Sequence, residues 1–394
     1  MNKVRMAEKR LFNGFNTRAV QSGELRDPRF GNVTTPIFET STFVFPNSEK
    51  DAYIDNTRNL PYIYTRWGNP TVQAFEEKYA SLEKAEHALS FSSGMGAITS
   101  VILALAERGD KILSVSDLYG QTFYFLNKVL PEYGISVEYI STDRLNSGEF
   151  KPSDYDIIYL ESITNPTLKV PDIKAVSERS TGKKIIVDAT FASPYNQNPL
   201  DLGADVVIHS ATKYISGHSD VVMGVFSTND KSIFDKVVVR RKTFGSNPDP
   251  IQSYLALRGI KTLGLRMEKH NKNGMELAKY LRTEPRISHV YYPDTEIGKK
   301  VLRGFGGMIS FELRPELDVH VFMRNLKIPM VAASLGGVES LITLPVETSH
   351  SSMTKEERER IGITDNLVRF SIGIEDHVDL IDDIKQALDK ASES

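Results

Sequence analysis

The 394-residue chain contains no cysteine, which excludes disulfides, thiolate nucleophiles and cysteine-ligated zinc or iron-sulfur sites together. Catalysis must then draw on other groups. The eight histidines show no HExxH or comparable ligand spacing, so no histidine metal site is expected, while carboxylate-bound magnesium stays open. No apolar run approaches the roughly 18 residues of a membrane span, and the start MNKVRMAEKR lacks the apolar stretch of a secretory signal. A cytoplasmic protein is expected, with no membrane partner. An excess of one charge is missing too: 48 Lys plus Arg stand against 51 Asp plus Glu, a net charge of -3. There is neither the basic footprint of a nucleic-acid binder nor an acidic tail, so a small molecule is the expected partner.

What is present is an ordinary globular composition, 40% hydrophobic and 25% charged, in a chain long enough for more than one packed unit. Residues 1–60 show little regular periodicity, with Pro36 and Pro46 interrupting. They read as an N-terminal arm whose apolar spots, Val33, Ile37, Phe43, Val44 and Phe45, need a surface to pack on, in the same subunit or a neighbouring one. From about residue 70 to 240 short apolar runs alternate with helical stretches, the mark of βαβ units and a mostly parallel sheet. Seven strands are predicted: 88–92, 111–115, 136–140, 157–160, 184–187, 206–209 and 221–226. A helix is predicted over 95–108, with Ile98, Val101, Ile102 and Leu105 on one face. GSNPDP, residues 245–250, breaks the pattern before a helix that begins at Ile251. Beyond it GGMISFEL, ASLGGVESLI and LVRFSIGIE read as strands. The ending repeats Val378, Ile381, Ile384 and Leu388 as a surface helix would. The expected organisation is an arm over 1–60, a large α/β domain over 61–248 and a smaller α+β domain over 249–394.

Three stretches suit one cofactor. HSATKYISGHSD places Lys213 beside Ser210 and Thr212 directly after the apolar run 204–208; a strongly hydrated point charge at a strand end calls for a reason. Ser92, Ser93, Gly94, Met95 and Gly96 form a turn at a helix start, where backbone N–H groups and the helix dipole suit a phosphate. This turn is neither a Walker A loop nor GxGxxG, which disfavours an ATPase or a nicotinamide enzyme. KKIIVDAT ends in Asp188, at the carboxyl end of a parallel strand, where binding crevices lie; a helix-capping aspartate is the alternative. Lysine, carboxylate and phosphate cradle together fit pyridoxal 5′-phosphate (PLP). The lysine binds the aldehyde, the aspartate keeps the pyridine nitrogen protonated, and the hydroxyl and N–H groups hold the phosphate ester. A desolvated position beside a cationic cofactor would also lower the lysine pKa, fitting its amine to act as a base near neutral pH.

The motifs NTRAV, TPIFETSTF, YTRWGNPT, SFSSGMGA, DLYGQTF, ESITNPT, IVDATF, LGADVVIHSATKYISGHSDVVMG, LRGIKTL, GGMISFEL, SLGGVESL and LVRFSIGIED follow one another along nearly the whole chain. In them the sequence resembles the cysteine and methionine metabolism family of PLP enzymes, which holds cystathionine gamma-synthase, cystathionine gamma-lyase, methionine gamma-lyase and O-acylhomoserine sulfhydrylases. The resemblance implies a fold-type I, transferase-like α/β fold and a homotetramer built as a dimer of dimers. It implies Lys213 as the cofactor lysine, Asp188 as partner of the pyridine nitrogen, and Gly94, Met95, Ser210 and Thr212 as the phosphate cradle. Tyr119 resembles the tyrosine that stacks on the ring and exchanges a proton with the leaving group, a turn-capping core tyrosine being the alternative. Tyr64 and Arg66 resemble a pair that reaches the phosphate of the adjacent subunit, which would leave a monomer with an incomplete site. Asn165 matches a residue beside the ring oxygen, although Asn-Pro is also a good turn. Arg369, mid-strand among apolar residues, matches the residue that takes the substrate carboxylate, with an internal salt bridge as the alternative. Ser334 matches a contact to the same carboxylate, and His218 is given a structural role only.

Gamma-elimination and gamma-replacement share these residues, so they do not separate the members. SLGGVESL, with Glu339, and SGHSDVVMG resemble cystathionine lyases and synthases, whereas TFYFL, GGMISFEL and SHSSMTKEERERIGI are closer to methionine gamma-lyases. The latter commonly carry a cysteine where Gln121 stands here. Glu39 replaces a residue that is usually small or neutral, and is a candidate to receive the distal ammonium of cystathionine. The expected function is a PLP-dependent lyase or transferase of the cystathionine type, with methionine gamma-lyase as the alternative. Two rivals come from other classes: a nucleotide-binding oxidoreductase, and a catalytically silent PLP-binding regulator on the same fold.

Overall fold

The computed structural model describes residues 12–44, 62–348, 351, 354–360 and 362–393. Of the arm residues singled out above, Phe45 and Pro46 lie outside the described residues, as do Ser349, His350, Ser352, Met353 and Ile361 of the SHSSMTKEERERIGI stretch. The chain divides into two compact units, Met1–Glu107 with Asp205–Gly264, and Arg108–Ala204 with Leu265–Ser394.

The fold is α/β, with a seven-stranded, mostly parallel sheet and a smaller five-stranded sheet. The larger sheet comprises β1 (His87–Phe91), β2 (Lys111–Val115), β3 (Ser136–Ile140), β4 (Ile157–Glu161), β5 (Lys184–Asp188), β6 (Val206–Ser210) and β7 (Gly224–Thr228). In the first unit β7 pairs antiparallel with both β1 and β6. In the second unit β2 pairs parallel with β3 and β4, and β4 parallel with β5. Every residue of β4 is buried, as a strand covered on both faces requires. β3 instead alternates exposed and half-buried residues, which suits an edge strand.

Two of the seven predicted strands coincide with the observed ones, three others extend one residue further, and the first starts and ends one residue earlier. The seventh is displaced. Residues 221–223 run as a loop because Thr212 takes up the backbone of Met223: its Oγ1 accepts from Met223 N at 2.9 Å and donates to Met223 O at 3.2 Å. The strand starts only at Gly224, where an added Cβ would lie 2.1 Å from the Ser93 carbonyl. The helix after β1 spans Gly94–Leu105 rather than 95–108, since Ala106 turns extended.

Within the first unit, the helix Pro70–Glu83 starts on Asn69, whose side chain accepts from Thr71 N, with proline at the first helical position. Its Glu76 is buried, and Oε1 accepts from Ser90 N at 2.7 Å, Ser90 Oγ at 2.9 Å and Arg241 Nη1 at 3.0 Å. One ion pair thus ties two helices to β1 and sets the strand end that leads into Ser92–Gly94. The N-terminal segment is not wholly extended: Phe15–Gln21 is helical. Glu24 anchors the chain beyond it, with Nζ of Lys261 at 2.7 Å and of buried Lys78 at 3.3 Å. Val33, Ile37 and Val44 remain exposed.

In the second unit the five-stranded sheet holds β8 (Ile287–Tyr291), β9 (Met308–Leu313), β10 (Met330–Val331), β11 (Leu341–Thr343) and β12 (Leu367–Ser371), in the order β10-β11-β12-β9-β8. Phe311, Ile342, Val368 and Phe370 join Leu380, Ile384, Ala387 and Leu388 of the last helix in its core. The expectation for that helix, His377–Ser392, is partly corrected. Val378 is exposed, because the buried stripe runs through Leu380, Ile384, Ala387, Leu388 and Ala391. Of ASLGGVESLI only the final residues form a strand; the rest is a loop in which Ser334 has φ +106° and Gly336 φ +73°. Among the described residues no helix is long and apolar enough to cross a membrane.

Candidate active site

In the first unit, β6 ends at Ser210 and the backbone closes at once into tight turns. Lys213 N donates to Ser210 O at 3.1 Å and Gly217 N to Lys213 O at 2.9 Å. Lys213 is therefore half-buried in a turn at the strand end rather than in the strand. The helix Gly94–Leu105 presses its first residue against the same place: a Cβ on Gly94 would lie 2.9 Å from Ser210 Cβ. Ser93 caps this helix, accepting from Gly96 N at 2.9 Å. The amides of Gly94 and Met95 then belong to the first turn, where N–H groups have no intrahelical acceptor and the dipole favours an anion. Gly94, followed in the first turn by Met95, thus stands against Ser210. Thr212 sits beside it in sequence, but its hydroxyl engages Met223 as described above.

Tyr64 and Arg66 are exposed, with the guanidinium 5.6 Å from the Tyr64 ring centre and Nη1 donating to Lys242 O at 3.0 Å. They line an open cleft of about 320 Å³ together with Glu39, Ser41, Asn247 and Asp249. The cradle residues are not part of that lining. His218 is exposed, its Nδ1 2.6 Å from Ser216 O.

In the second unit, β4 and β5 end side by side with Glu161 directly opposite Asp188. Asp188 Oδ1 accepts from Thr190 N at 3.0 Å and from Thr190 Oγ1 at 2.5 Å. This carboxylate is positioned by its own strand end and does not cap a long helix. Tyr119 N donates to Glu161 Oε1 at 2.7 Å, and Tyr119 O opens the short helix Gly120–Tyr124 by accepting from Phe123 N. Partial burial raises the Tyr119 pKa above 10.0, the neighbouring Arg369 opposes this, and Asp188 and Glu161 add to it. Gln121 lies exposed on that short helix.

Arg369 sits in the middle of β12, opposite Ser310 on β9 and Thr343 on β11. Its Nη1 donates to Asn165 Oδ1 at 3.2 Å and its Nη2 to Ser334 O at 3.3 Å, while Nε has no acceptor. Both acceptors are neutral, and among the described residues no carboxylate pairs with this guanidinium. Burial pulls its pKa from 12.5 down to about 10, with nearby Tyr119 opposing the shift. Such a charge is costly to bury and calls for an anionic partner. The expected Arg369, Asn165 and Ser334 therefore come together, Ser334 through its carbonyl in a left-handed conformation that a non-glycine residue holds at some cost. Glu339 is half-buried in the loop that leads to β11.

Two carboxylates escaped the sequence reading. Glu161 is almost wholly buried, and burial, then the nearby Asp188 charge, raise its pKa well above the ordinary carboxylate range. Asp117, also buried, accepts from the hydroxyls of Thr142 at 3.2 Å, Thr164 at 2.8 Å and Thr167 at 2.5 Å. Both belong to motifs quoted above, ESITNPT and DLYGQTF. Glu161 ends an apolar strand just as Asp188 does, and that signal could have found it.

Residues 16–389 match the family described as Cys/Met metabolism PLP-dependent enzyme. The chain is 41% identical over 390 residues to an L-methionine gamma-lyase of Fusobacterium nucleatum subsp. polymorphum, covering 96% of this chain and 98% of the relative. It is 44% identical over 386 residues to a cystathionine beta-lyase of Lactococcus lactis subsp. cremoris, covering 95% and 98%. The crystal structure of cystathionine gamma-lyase from Lactobacillus plantarum complexed with L-serine superposes with a TM-score of 0.90 at 36% identity, covering 96% of this chain and 99% of that one. A match over nearly the full length, at these identities and on the same fold, makes the chain a PLP-dependent enzyme of the Cys/Met metabolism family.

Proposed function

We propose that the protein eliminates or replaces the γ-substituent of a sulfur amino acid or an O-acylhomoserine, with cystathionine gamma-lyase or gamma-synthase chemistry. The observation that carries this reading is the buried Arg369, hydrogen-bonded to two neutral acceptors. An α-carboxylate is the bidentate partner that a guanidinium fork in such a place suits.

PLP fits the groups that each unit offers. The first unit supplies a cradle of helix N–H groups and a serine hydroxyl that a Cβ at residue 94 would crowd, together with Lys213 for the aldehyde. The second supplies Asp188, held by Thr190, to keep a proton on the pyridine nitrogen. Bound PLP supplies the electron sink that lets protons leave the α and β carbons of the substrate. In this reading the Lys213 amine takes the α proton. The Tyr119 hydroxyl, whose raised pKa keeps it protonated, donates its proton to the departing sulfur. Arg369 orients the substrate through its carboxylate, and Asn165 and Ser334 O hold the guanidinium. Glu39 and Glu339 are our candidates for the distal ammonium of cystathionine.

Exposed Tyr64 and Arg66, and the exposed apolar Val33, Ile37 and Val44, support a homotetramer built as a dimer of dimers in which that pair serves the adjacent subunit's phosphate. Methionine gamma-lyase is the second reading, favoured by the F. nucleatum relative and opposed by Gln121 in place of a cysteine.

The test is a product assay on PLP-loaded protein given L-cystathionine or L-methionine separately, repeated with Glu39→Gln. Cysteine, 2-oxobutanoate and ammonia from cystathionine and water, with methionine nearly inert, is the expected result. Methanethiol, 2-oxobutanoate and ammonia from methionine at comparable efficiency would replace our reading with the second. Homocysteine, pyruvate and ammonia from cystathionine would mean β-elimination and overturn both.

A further inference from the structure

Glu161 is an almost wholly buried acid to which the chemistry above gives no task. It ends β4 opposite Asp188 at the end of β5, and Ser162 N donates to Asp188 O at 2.9 Å, locking the two strand ends together. Its Oε1 accepts from Tyr119 N at 2.7 Å, across 42 residues of chain, and it also receives the backbone N–H of Asn165. One side chain therefore contacts the backbone of two residues assigned to the site, and it faces a third.

We propose that Glu161 is a positioning residue: it ties the backbone of Tyr119 to the strand end that carries Asp188, and so sets where the tyrosine hydroxyl stands. This rests on the function proposed above. Among the described residues the titratable groups that face Glu161 are Asp188, Asp117, Tyr119 and Tyr159, two carboxyls and two phenols. In that company burial and then the Asp188 charge raise its pKa well above the ordinary carboxylate range, which favours the neutral form. A neutral carboxyl keeps an acceptor oxygen for Tyr119 N and places no second charge beside Asp188. A neutral amide of the same shape can do the same, whereas a methyl group cannot.

The experiment compares Glu161→Gln and Glu161→Ala with the wild type in three measurements: steady-state kinetics across pH, PLP retained after dialysis, and the melting temperature of the apoprotein across pH. We expect Gln to keep kcat within about threefold and Ala to lose at least about tenfold in kcat with KM little changed, as misplacement of a proton donor predicts. In the Ala variant the alkaline limb of the kcat profile moves to lower pH, because a loosened Tyr119 is better solvated. The apoprotein provides an independent sign. A carboxyl whose folded pKa is raised loses stability as pH climbs above its unfolded value, so the Gln variant gains on the wild type as the pH rises above the ordinary carboxylate range. A Gln variant that loses stability relative to the wild type over that rise, loses as much kcat as Ala, or an Ala variant with an unmoved pH profile, overturns the proposal. If Ala does not fold, the Gln stability series decides alone. Failure of the wild type to bind PLP or to turn over any γ-substituted amino acid would instead strike at the underlying function.

Discussion

Replacing Arg369 with methionine separates a substrate-binding guanidinium from a structural one, because the two roles predict opposite effects on the empty protein. Burial lowers the pKa of this group from 12.5 to about 10, which at ~1.4 kcal/mol per tenfold amounts to roughly 3 kcal/mol spent in keeping it charged. Methionine has similar reach and no charge. It leaves Asn165 Oδ1 and Ser334 O without their donor, at a cost of about 1 kcal/mol each. The apoprotein should then be as stable as the wild type or more so by about 1 kcal/mol, a rise in Tm of no more than about 2 °C in a chain of this size. Substrate binding should suffer far more. Losing one partner of a buried charge pair costs about 2 to 5 kcal/mol, or roughly 30-fold to several thousand-fold in kcat/KM, carried mainly by KM. Calorimetry of the apoprotein and kinetics on an amino acid and on its decarboxylated amine give both numbers. The wild type should prefer the amino acid, and Arg369→Met should lose that preference. A variant that melts several degrees lower with an unchanged KM would refute the reasoning and mark Arg369 as a structural cation.

Two further outcomes follow from the packing. His270 is completely buried, its Nδ1 donates to Ile372 O at 2.8 Å, and burial lowers its pKa from 6.5 to about 4. The unfolded chain binds the proton first, so stability is full above pH 6.5 and falls as the pH drops towards 4, by roughly 3 kcal/mol in total; His270→Asn, which keeps a donor, should flatten that limb of a Tm-against-pH curve. Gly94→Ala and Gly224→Ala place a Cβ 2.9 Å from Ser210 Cβ and 2.1 Å from the Ser93 carbonyl. Both should weaken PLP retention by at least about tenfold while leaving the weaker binding of phosphate-free pyridoxal nearly unchanged, and Gly224→Ala should lower Tm more because backbone must move; an equal loss of pyridoxal binding would show that the cradle does not serve the phosphate.

Much of the fold is legible in the chain because most strands of the larger sheet are buried on both faces, and such strands read as short apolar runs wherever they lie in the sheet. Asp188 and Lys213 stood out for a related reason: Asp188 closes an apolar run and Lys213 lies a few residues beyond one, and chain position alone reveals that. The order of motifs also carried the family, since it runs from the arm through both sheets to the residue before the last helix. Tertiary structure decided the rest. Whether Glu161 faces Asp188 depends on the register of two parallel strands, which no local pattern encodes. Arg369 and Asn165 are 204 residues apart, and tertiary contacts such as the pairing of β12 with β9, and of Ser310 Oγ with Pro166 O at 2.7 Å, bring their segments together. The loop through Ser334 and the late start of β7 were misread as strand because their apolar residues look local, while the constraints that break them are a positive φ and a threonine eleven residues away. Sequence determined which residues bear charge at strand ends; the long-range contacts determined which of those charges meet.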